Sequence, residues 1–211
     1  FYNIMEGMVA AIWKEVKGVE IPRPFKRMPY QEAMERFGCD RPDTRFGLEL
    51  CNVCGIAARS EFKVFQTIVE KGGLIYGMNL EGCGSYSRKD IDDLTKFAGQ
   101  FGARGMAWMK VTESGLESNI VKFFPEDVQK DLREKMNAKA GDLLIFIADE
   151  TPEVVYDVLG RIRLHIARRE KLVDPNQLDF LWVVDFPMFL KDENGRPTPS
   201  HHPFTSPHPD D

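Results

Sequence analysis

The chain has 211 residues, and its 28 basic and 33 acidic side chains give a formal net charge of −5. Hydrophobic residues make up 43% and charged residues 29% of the sequence, which is ordinary globular usage and excludes a disordered or fibrous protein. The acidic excess argues against general coating of nucleic acid, which needs clustered positive charge, but it leaves room for a local RNA contact.

The first segment is predicted to be a helix, because Met5, Val9, Ile12 and Val16 recur at spacings of three and four residues. We do not expect it to be a signal peptide, since a charge already appears at Glu6. The pattern begins without a capping residue, and five of the 13 prolines crowd into the last fifteen residues with no closing element. We therefore expect the chain to be a piece of a longer protein.

Prolines and glycines shape the next fifty residues. Residues 21–25 are expected to be extended, since proline disfavours helix in the residue before it. Pro29, at the first helical position, predicts a short helix over residues 30–37, which Gly38 ends. Residues 45–50 are predicted as a short strand.

The middle of the chain predicts a self-contained β-α-β-β-α-β module. Ser87 and Asp90 form a capping-box pattern at the start of its first helix, and the apolar run 143–148 is typical of a strand buried on both faces. The order of elements is that of ferredoxin-like, split β-α-β modules, in an α+β fold. The predicted strands cover residues 74–80, 106–111, 119–124 and 143–148, and the predicted helices cover residues 87–101 and 125–136.

A long helix follows, with Thr151 as its cap and Pro152 at its first position. Its predicted buried stripe consists of Val155, Leu159, Ile162 and Ile166. Acidic residues come early and basic residues late, which suits the helix dipole. The basic end could also meet RNA phosphates, but dipole complement and a solvated face explain the pattern better.

The last segment predicts a second sheet. Residues 180–189 form a bulky apolar strand, and Asn194-Gly195 is the strongest hairpin-turn signal in the chain. The strand after this turn is expected to run antiparallel from about Pro197 to residue 202.

Few motifs in the sequence carry chemistry by themselves. There is no glycine-rich phosphate loop, no nucleophile elbow and no His-Glu-x-x-His pair. Cys51 and Cys54 have the spacing of half a zinc site, which Cys39 and Cys83 could complete, but the latter two have no close partner. Four cysteines are too few for a disulfide scaffold, so a reducing compartment is expected, with the cysteines acting as small apolar residues and no metal bound.

His201 and His202 are the remaining candidate site residues, and they lie in a proline-rich loop. An imidazole that is neutral near pH 7 can donate or accept a hydrogen bond, and a protonated one can meet a carboxylate. Adjacent strand residues point to opposite faces, so one of the two would face a given pocket. From the residues alone, a binding role and a solvent-exposed loop both remain open.

Several of these segments together resemble the bacterial aspartyl-tRNA synthetase family. The segments that carry the resemblance are residues 21–27, 30–34 and 40–50, the Trp-Val-Val-Asp-Phe-Pro run at 182–187, and the His-His-Pro-Phe-Thr-Ser-Pro run at 201–207. The resemblance spans essentially all 211 residues.

The resemblance implies a class II antiparallel catalytic sheet interrupted by an inserted α+β domain called GAD. The ferredoxin-like module would be that insert. The expected division is a catalytic-domain segment over residues 1–47, the GAD insertion domain over 48–172 and a second catalytic-domain segment over 173–211.

The resemblance also implies the reaction of an aspartate–tRNA ligase, which activates L-aspartate with ATP and transfers it to tRNA. Such enzymes use Mg²⁺ with ATP and act as cytoplasmic homodimers, with no membrane association. In the family's motif the first histidine contacts the aspartate substrate, which here is His201, and His202 is carried as its partner.

The family's motif 2 and motif 3, with the arginines that hold ATP, do not occur in this sequence, and Arg27 and Arg45 lack that context. A positioned arginine that stabilises the charge developing at phosphorus is central to this chemistry. We therefore expect no catalytic residue in this chain, no bound cofactor and no activity of the chain alone.

One alternative is an independent RNA-binding or scaffold module, since GAD-like domains also occur in the glutamyl-tRNA amidotransferase family. The flanking segments distinguish the two hypotheses. A standalone module has no use for the 182–187 strand or for the His-His-Pro loop.

Overall fold

The computed structural model of the protein describes residues 1–191 and 195–200. No helix in these residues is both long and apolar enough to span a membrane. The α-helices in the described residues are α1 (Tyr2–Lys17), α2 (Tyr30–Phe37), α3 (Cys54–Ala57), α4 (Lys63–Glu70), α5 (Arg88–Gly99), α6 (Glu126–Lys135) and α7 (Pro152–Arg169).

The strands of the same residues form one five-stranded sheet and two two-stranded sheets. They are β1 (Lys26–Pro29), β2 (Leu50–Asn52), β3 (Leu74–Leu80), β4 (Ala107–Thr112), β5 (Gly115–Glu117), β6 (Leu143–Asp149), β7 (Leu181–Val184), β8 (Phe189–Lys191) and β9 (Pro197–Pro199).

The chain divides into two compact units. One is continuous and covers Glu32–Gln177, whereas the other joins Phe1–Gln31 with Leu178–Asp211. The continuous unit begins earlier and ends later than the predicted insert at 48–172.

The continuous unit is built on the five-stranded sheet, whose order is β2-β3-β6-β4-β5 with every neighbouring pair antiparallel. Side chains of β6 alternate between two cores, as strand geometry requires. Leu143, Ile145 and Ile147 pack with α5 and α7, whereas Leu144 and Phe146 pack with α3, α4 and α6. The prediction that this strand is buried on both faces is confirmed.

The α+β class and the β-α-β-β-α-β order of elements hold from β3 to β6. The ferredoxin-like topology is not confirmed. In that fold both helices cover a single face of the sheet, whereas here α5 and α6 pack on opposite faces. The physical reason is that both faces of the central strands are apolar, so each needs its own layer of helices.

Two predicted strands of the continuous unit are wrong. Residues 119–124 contain a 3₁₀ turn at Val121–Phe123, and the strand that follows β4 and pairs with its outer edge is β5 instead. The alternation of apolar residues there arises because Ile120 and Phe124 are buried on either side of the turn. Residues 45–49 are irregular, and β2 begins only at Leu50.

The helix starts agree closely with prediction. The hydroxyl of Ser87 accepts the N–H of Asp90, and the Asp90 carboxylate accepts the N–H of Ser87, so the capping box is present. Thr151 precedes α7 as predicted but does not cap it with its side chain. Its N–H donates to the Asp149 carboxylate instead.

In the other unit, a strand from before the continuous unit and a strand from after it meet in one small sheet. Strands β1 and β7 pair in parallel, from Lys26 opposite Leu181 to Pro29 opposite Val184. This pair does not confirm the antiparallel class II sheet implied by the resemblance. The predicted antiparallel pairing is confirmed for β8 and β9. The predicted continuous strand over residues 180–189 is wrong, because the chain leaves the extended conformation after β7, with Asp185 left-handed (φ 58°), and resumes it only at β8. Asn194 of the predicted turn lies outside the described residues.

Helix α1 forms as predicted and ends at Gly18. Its buried residue is unexpected, since Glu6 lies inside and accepts a hydrogen bond of 2.9 Å from the Trp182 indole. Ile12 and Val16, which the periodicity placed on the apolar face, are exposed instead.

Candidate functional sites

The predicted substrate-binding residues, His201 and His202, lie outside the described residues. The β8–β9 hairpin directly precedes them, and the N–H of Ser200 donates to the Met188 carbonyl at 3.0 Å. Their role therefore stays a prediction.

The four cysteines make no disulfide, and no group of three or more metal-binding side chains occurs among the described residues. The zinc site that Cys51 and Cys54 suggested is therefore not formed there. Cys54 accepts the N–H of Ile75 at 3.1 Å through its sulfur. Burial raises the pKa of Cys39, Cys51 and Cys83, which favours inert thiols over reactive thiolates.

Basic side chains of α7 form ion pairs with acidic side chains of the same chain. Arg161 pairs with Asp157 at 2.8 Å, and Arg169 pairs with Asp90 at 2.7 Å while lying over the Tyr86 ring. These contacts favour the structural interpretation of this charge pattern over an RNA contact.

Arg163 is the residue that the sequence did not single out. It is only 1% exposed, although no carboxylate of the described residues forms a hydrogen bond or an ion pair with it. Its Nε donates to the Leu48 carbonyl at 3.1 Å, and one terminal nitrogen reaches three further carbonyls at 2.8–2.9 Å: those of Asp43, Phe46 and Gly47. Burial lowers the pKa of Arg163 to about 10, so the guanidinium remains charged at neutral pH.

The guanidinium of Arg163 also lies over the Phe46 ring, 3.9 Å from its centroid. Nearby, the backbone of Gly38 packs directly against that of Gly160, and a methyl group built on Gly160 would lie 2.9 Å from the Gly38 carbonyl oxygen. These contacts fasten residues 38–48 to α7. They explain why the compact unit begins well before residue 48.

A cleft of about 760 Å³ lies beside β4 in the same unit. Strand β5 pairs only with Lys110, Val111 and Thr112, so residues 107–109 have β6 on one side and no strand on the other among the described residues. We call this opening the β4 cleft. Its apolar lining includes Val64, Met106, Ala107, Trp108, Ile120 and Ala148.

Cationic side chains dominate the polar lining of the β4 cleft. It holds two carboxylates, Asp92 and Glu150, against four cations. Three of the cations make ion pairs: Lys71 with Glu150 at 2.7 Å, Arg88 with Asp92 at 3.2 Å, and Arg104 with the buried Asp149 at 3.9 Å. The first two pairs are exposed, and such pairs contribute little to stability. The four cations are Lys63, Lys71, Arg88 and Arg104.

Comparison with known proteins shows which proteins the chain resembles. The GAD domain matches residues 65–159. The chain is 50% identical over its full length to the "Aspartate--tRNA(Asp/Asn) ligase" of Brachyspira hyodysenteriae, covering 36% of that protein. It is 50% identical over 99% of its length to the protein of the same name from Persephonella marina, covering 35%. The "Aspartate--tRNA ligase" of Halalkalibacterium halodurans is 48% identical over 99% of the chain, which covers 35% of it.

The chain thus spans about 36% of the length of the curated relatives it matches. The predicted resemblance to bacterial aspartyl-tRNA synthetases is confirmed, and it extends through both segments that flank the GAD match. A solved structure, hypothetical protein PH0730 from Pyrococcus horikoshii OT3, aligns over 47% of the chain at 18% identity with a TM-score of 0.33, too weak a likeness to support an inference.

Proposed function

We propose that this chain is the segment of an aspartate–tRNA ligase that carries the inserted GAD domain together with catalytic-domain segments on both sides. The whole enzyme would activate L-aspartate with ATP and Mg²⁺ and transfer the aspartyl group to tRNA, as a cytoplasmic homodimer. The observation that carries the proposal is the match at 50% identity from end to end. An independent GAD module would not need the matching flanks.

The proposed insert covers residues 48–172, between catalytic-domain segments 1–47 and 173–211. An inserted domain needs its two ends close together. Phe46, Gly47 and Leu48 line one cavity of about 250 Å³ together with Glu170 and Leu172, so the incoming and outgoing segments lie side by side. Within the other unit, the parallel pairing of β1 with β7 joins residues from before and after the insert.

The exposed face of α1 also supports membership of a larger protein. Phe1, Ile4 and Val16 are 82%, 75% and 72% exposed, and Met8 and Ile12 continue the same apolar stripe. A helix that is apolar on two faces is normally buried on both. The remaining two thirds of the ligase would cover this stripe.

Within the proposed enzyme, His201 binds the substrate aspartate and His202 assists it. A loop imidazole that closes over a small carboxylate adds a hydrogen bond or, when protonated, a charge pair. The chain alone is expected to be inactive, because it lacks the arginines that hold ATP.

A segment exchange tests this function. The corresponding segment of the Brachyspira hyodysenteriae ligase is replaced by this chain, and aspartate-dependent pyrophosphate exchange and charging of tRNA are measured. The matched control carries the segment of the Persephonella marina ligase, which is just as similar to this chain. We expect both chimeras to be active in these assays and the isolated chain to be inactive. An active control beside a folded but inactive test chimera would refute the proposal.

The same chimera tests the histidines. His201→Ala is expected to raise the KM for aspartate by about tenfold or more, which corresponds to the loss of a hydrogen bond to a charged group. The KM for ATP should stay within a factor of two. An unchanged KM for aspartate would refute the proposal that His201 binds the substrate.

Limited proteolysis of the chain tests the boundaries. If the Arg163 contacts hold in solution, the resistant core should begin near Glu32 and not near residue 48. A core that begins at residue 48 would mean that residues 38–47 detach from α7.

A further inference from the structure

The β4 cleft has three properties that are seldom found together on a merely solvated surface. It exposes apolar side chains, it carries an unpaired strand edge, and its charge is opposite to that of the chain. The whole chain has a net charge of −5, whereas the cleft lining has four cations and two carboxylates.

The strand edge offers hydrogen-bonding groups of the backbone. The N–H of Val111 donates to the Asp142 carbonyl on the β6 side, and alternate residues of an antiparallel strand bond to the same side. The N–H and C=O of Trp108 therefore point away from β6, into the cleft, where no strand meets them among the described residues.

The side chains around this edge include an aromatic ring, on which a planar group could stack, and positive charges. Trp108 lines the cleft, with Arg88 lying 5.9 Å from its ring centroid, and Val64 on the opposite wall is 56% exposed. Lys63 lines the α4 side and has no ion-pair partner among the described residues. Aromatic and apolar surface beside cations that track a backbone is the chemistry by which proteins hold single-stranded nucleic acid.

We propose that the β4 cleft binds a single-stranded segment of RNA. The bases lie against the apolar floor and meet the free backbone groups of Trp108, while Lys63 and Arg88 contact phosphates from opposite walls. The choice of RNA over other polyanions rests on the proposed function, because the relatives are named as ligases of tRNA.

The test uses the whole chain and a fluorescein-labelled single-stranded RNA of eight nucleotides, with binding followed by anisotropy at several salt concentrations. The test variant is Lys63→Gln/Arg88→Gln. The control is Lys130→Gln/Lys135→Gln on α6, outside the cleft, which removes the same net charge. Both pairs of residues are exposed, so folding should be retained, and circular dichroism checks this.

We expect the test variant to bind the RNA about tenfold more weakly, and the control to bind within a factor of two of the parent chain. The slope of log affinity against log salt should fall by roughly 1.4 in the test variant, since each lost phosphate contact contributes about 0.7 for single strands. Val64→Glu should weaken binding as well, whereas Val16→Glu on α1 should not.

Three outcomes would overturn the proposal: equal losses in the test and control variants, no measurable binding by the parent chain, or equal affinity for a polyglutamate peptide. Failure of this proposal can be told apart from failure of the proposed function. If the chimera is active but the chain does not bind RNA, only the proposed role of the β4 cleft is refuted. If the chain binds RNA but the chimera is inactive, only the assignment to a ligase is refuted.

Discussion

Arg163→Met is expected to lower the free energy of unfolding of the Glu32–Gln177 unit by about 3 kcal/mol, a magnitude obtained from its hydrogen bonds. Methionine has a similar length and fills most of the same space, so little of the loss would come from a cavity. The substitution removes the guanidinium N–H groups that bind the carbonyls of residues 43–48 and hold them against α7.

The magnitude follows from counting hydrogens. The Nε and the terminal nitrogen that make these contacts carry three N–H hydrogens, which serve four carbonyl oxygens. At about 1.5 kcal/mol, the lower end of the range for a hydrogen bond to a charged group, the three N–H hydrogens contribute about 4.5 kcal/mol. Removing the desolvation cost of a buried guanidinium offsets part of this, which brings the expected loss to about 3 kcal/mol.

Urea unfolding combined with hydrogen exchange measures the effect. Hydrogen exchange is needed because the chain has two compact units, and the loss should appear in residues 38–48 and in α7. Arg161→Met is the matched control, since that side chain is half exposed, pairs with Asp157 on its own helix and lies over the Phe101 ring. Its loss should stay below about 1 kcal/mol, because exposed ion pairs and exposed cation–π contacts are both weak. Equal losses at the two positions would refute the role assigned to Arg163.

Three further predictions concern other buried contacts. Asp142 accepts two backbone N–H groups and the Asn79 amide; burial opposes ionisation, but these bonds outweigh it and hold the pKa of Asp142 below its usual range. Because the folded-state pKa is depressed, its stabilisation is present above pH 4 and is lost as the pH falls through the folded-state value, so Asp142→Asn should cost about 2 kcal/mol at pH 7 and much less at pH 2 in urea unfolding. Gly160→Ala should lower the melting temperature despite the better helix propensity of alanine, because its methyl group would meet the Gly38 carbonyl at 2.9 Å, whereas Gly99→Ala, with open space around it, should not. Trp182→Phe should cost about 2 kcal/mol by leaving the buried Glu6 carboxylate without its donor, and a double-mutant cycle with Glu6→Gln should show the coupling.

Local sequence signals predicted the elements whose causes are local. The capping box at Ser87 and Asp90, the proline at the start of α7 and the doubly buried run of β6 all depend on neighbours along the chain. Residues 119–124 misled the prediction because a buried 3₁₀ turn and a strand can show the same alternation. The packing of the helices on both sides of the sheet was not predicted, because it depends on which faces of α5 and α6 find the sheet.

The buried position of Arg163 could have been predicted from its place on the apolar stripe of α7. It lies four residues after Leu159 and three before Ile166, both on the buried stripe of α7. An arginine on an apolar stripe signals a buried partner, but its carbonyl partners lie more than 100 residues earlier in the chain. The β4 cleft was beyond sequence reasoning for the same reason, because α4, β4 and α5 become neighbours only in the fold.

The two ends of the proposed insert, near residues 48 and 172, are both held against α7. The Nε of Arg163 holds the Leu48 carbonyl, and Leu48 has a left-handed backbone (φ 60°) that a leucine does not adopt without support. On the outgoing side, Lys171 is also left-handed (φ 56°), and the N–H of Leu172 returns to the Ala167 carbonyl at the end of α7. Both ends of the proposed insert therefore turn sharply against the same helix.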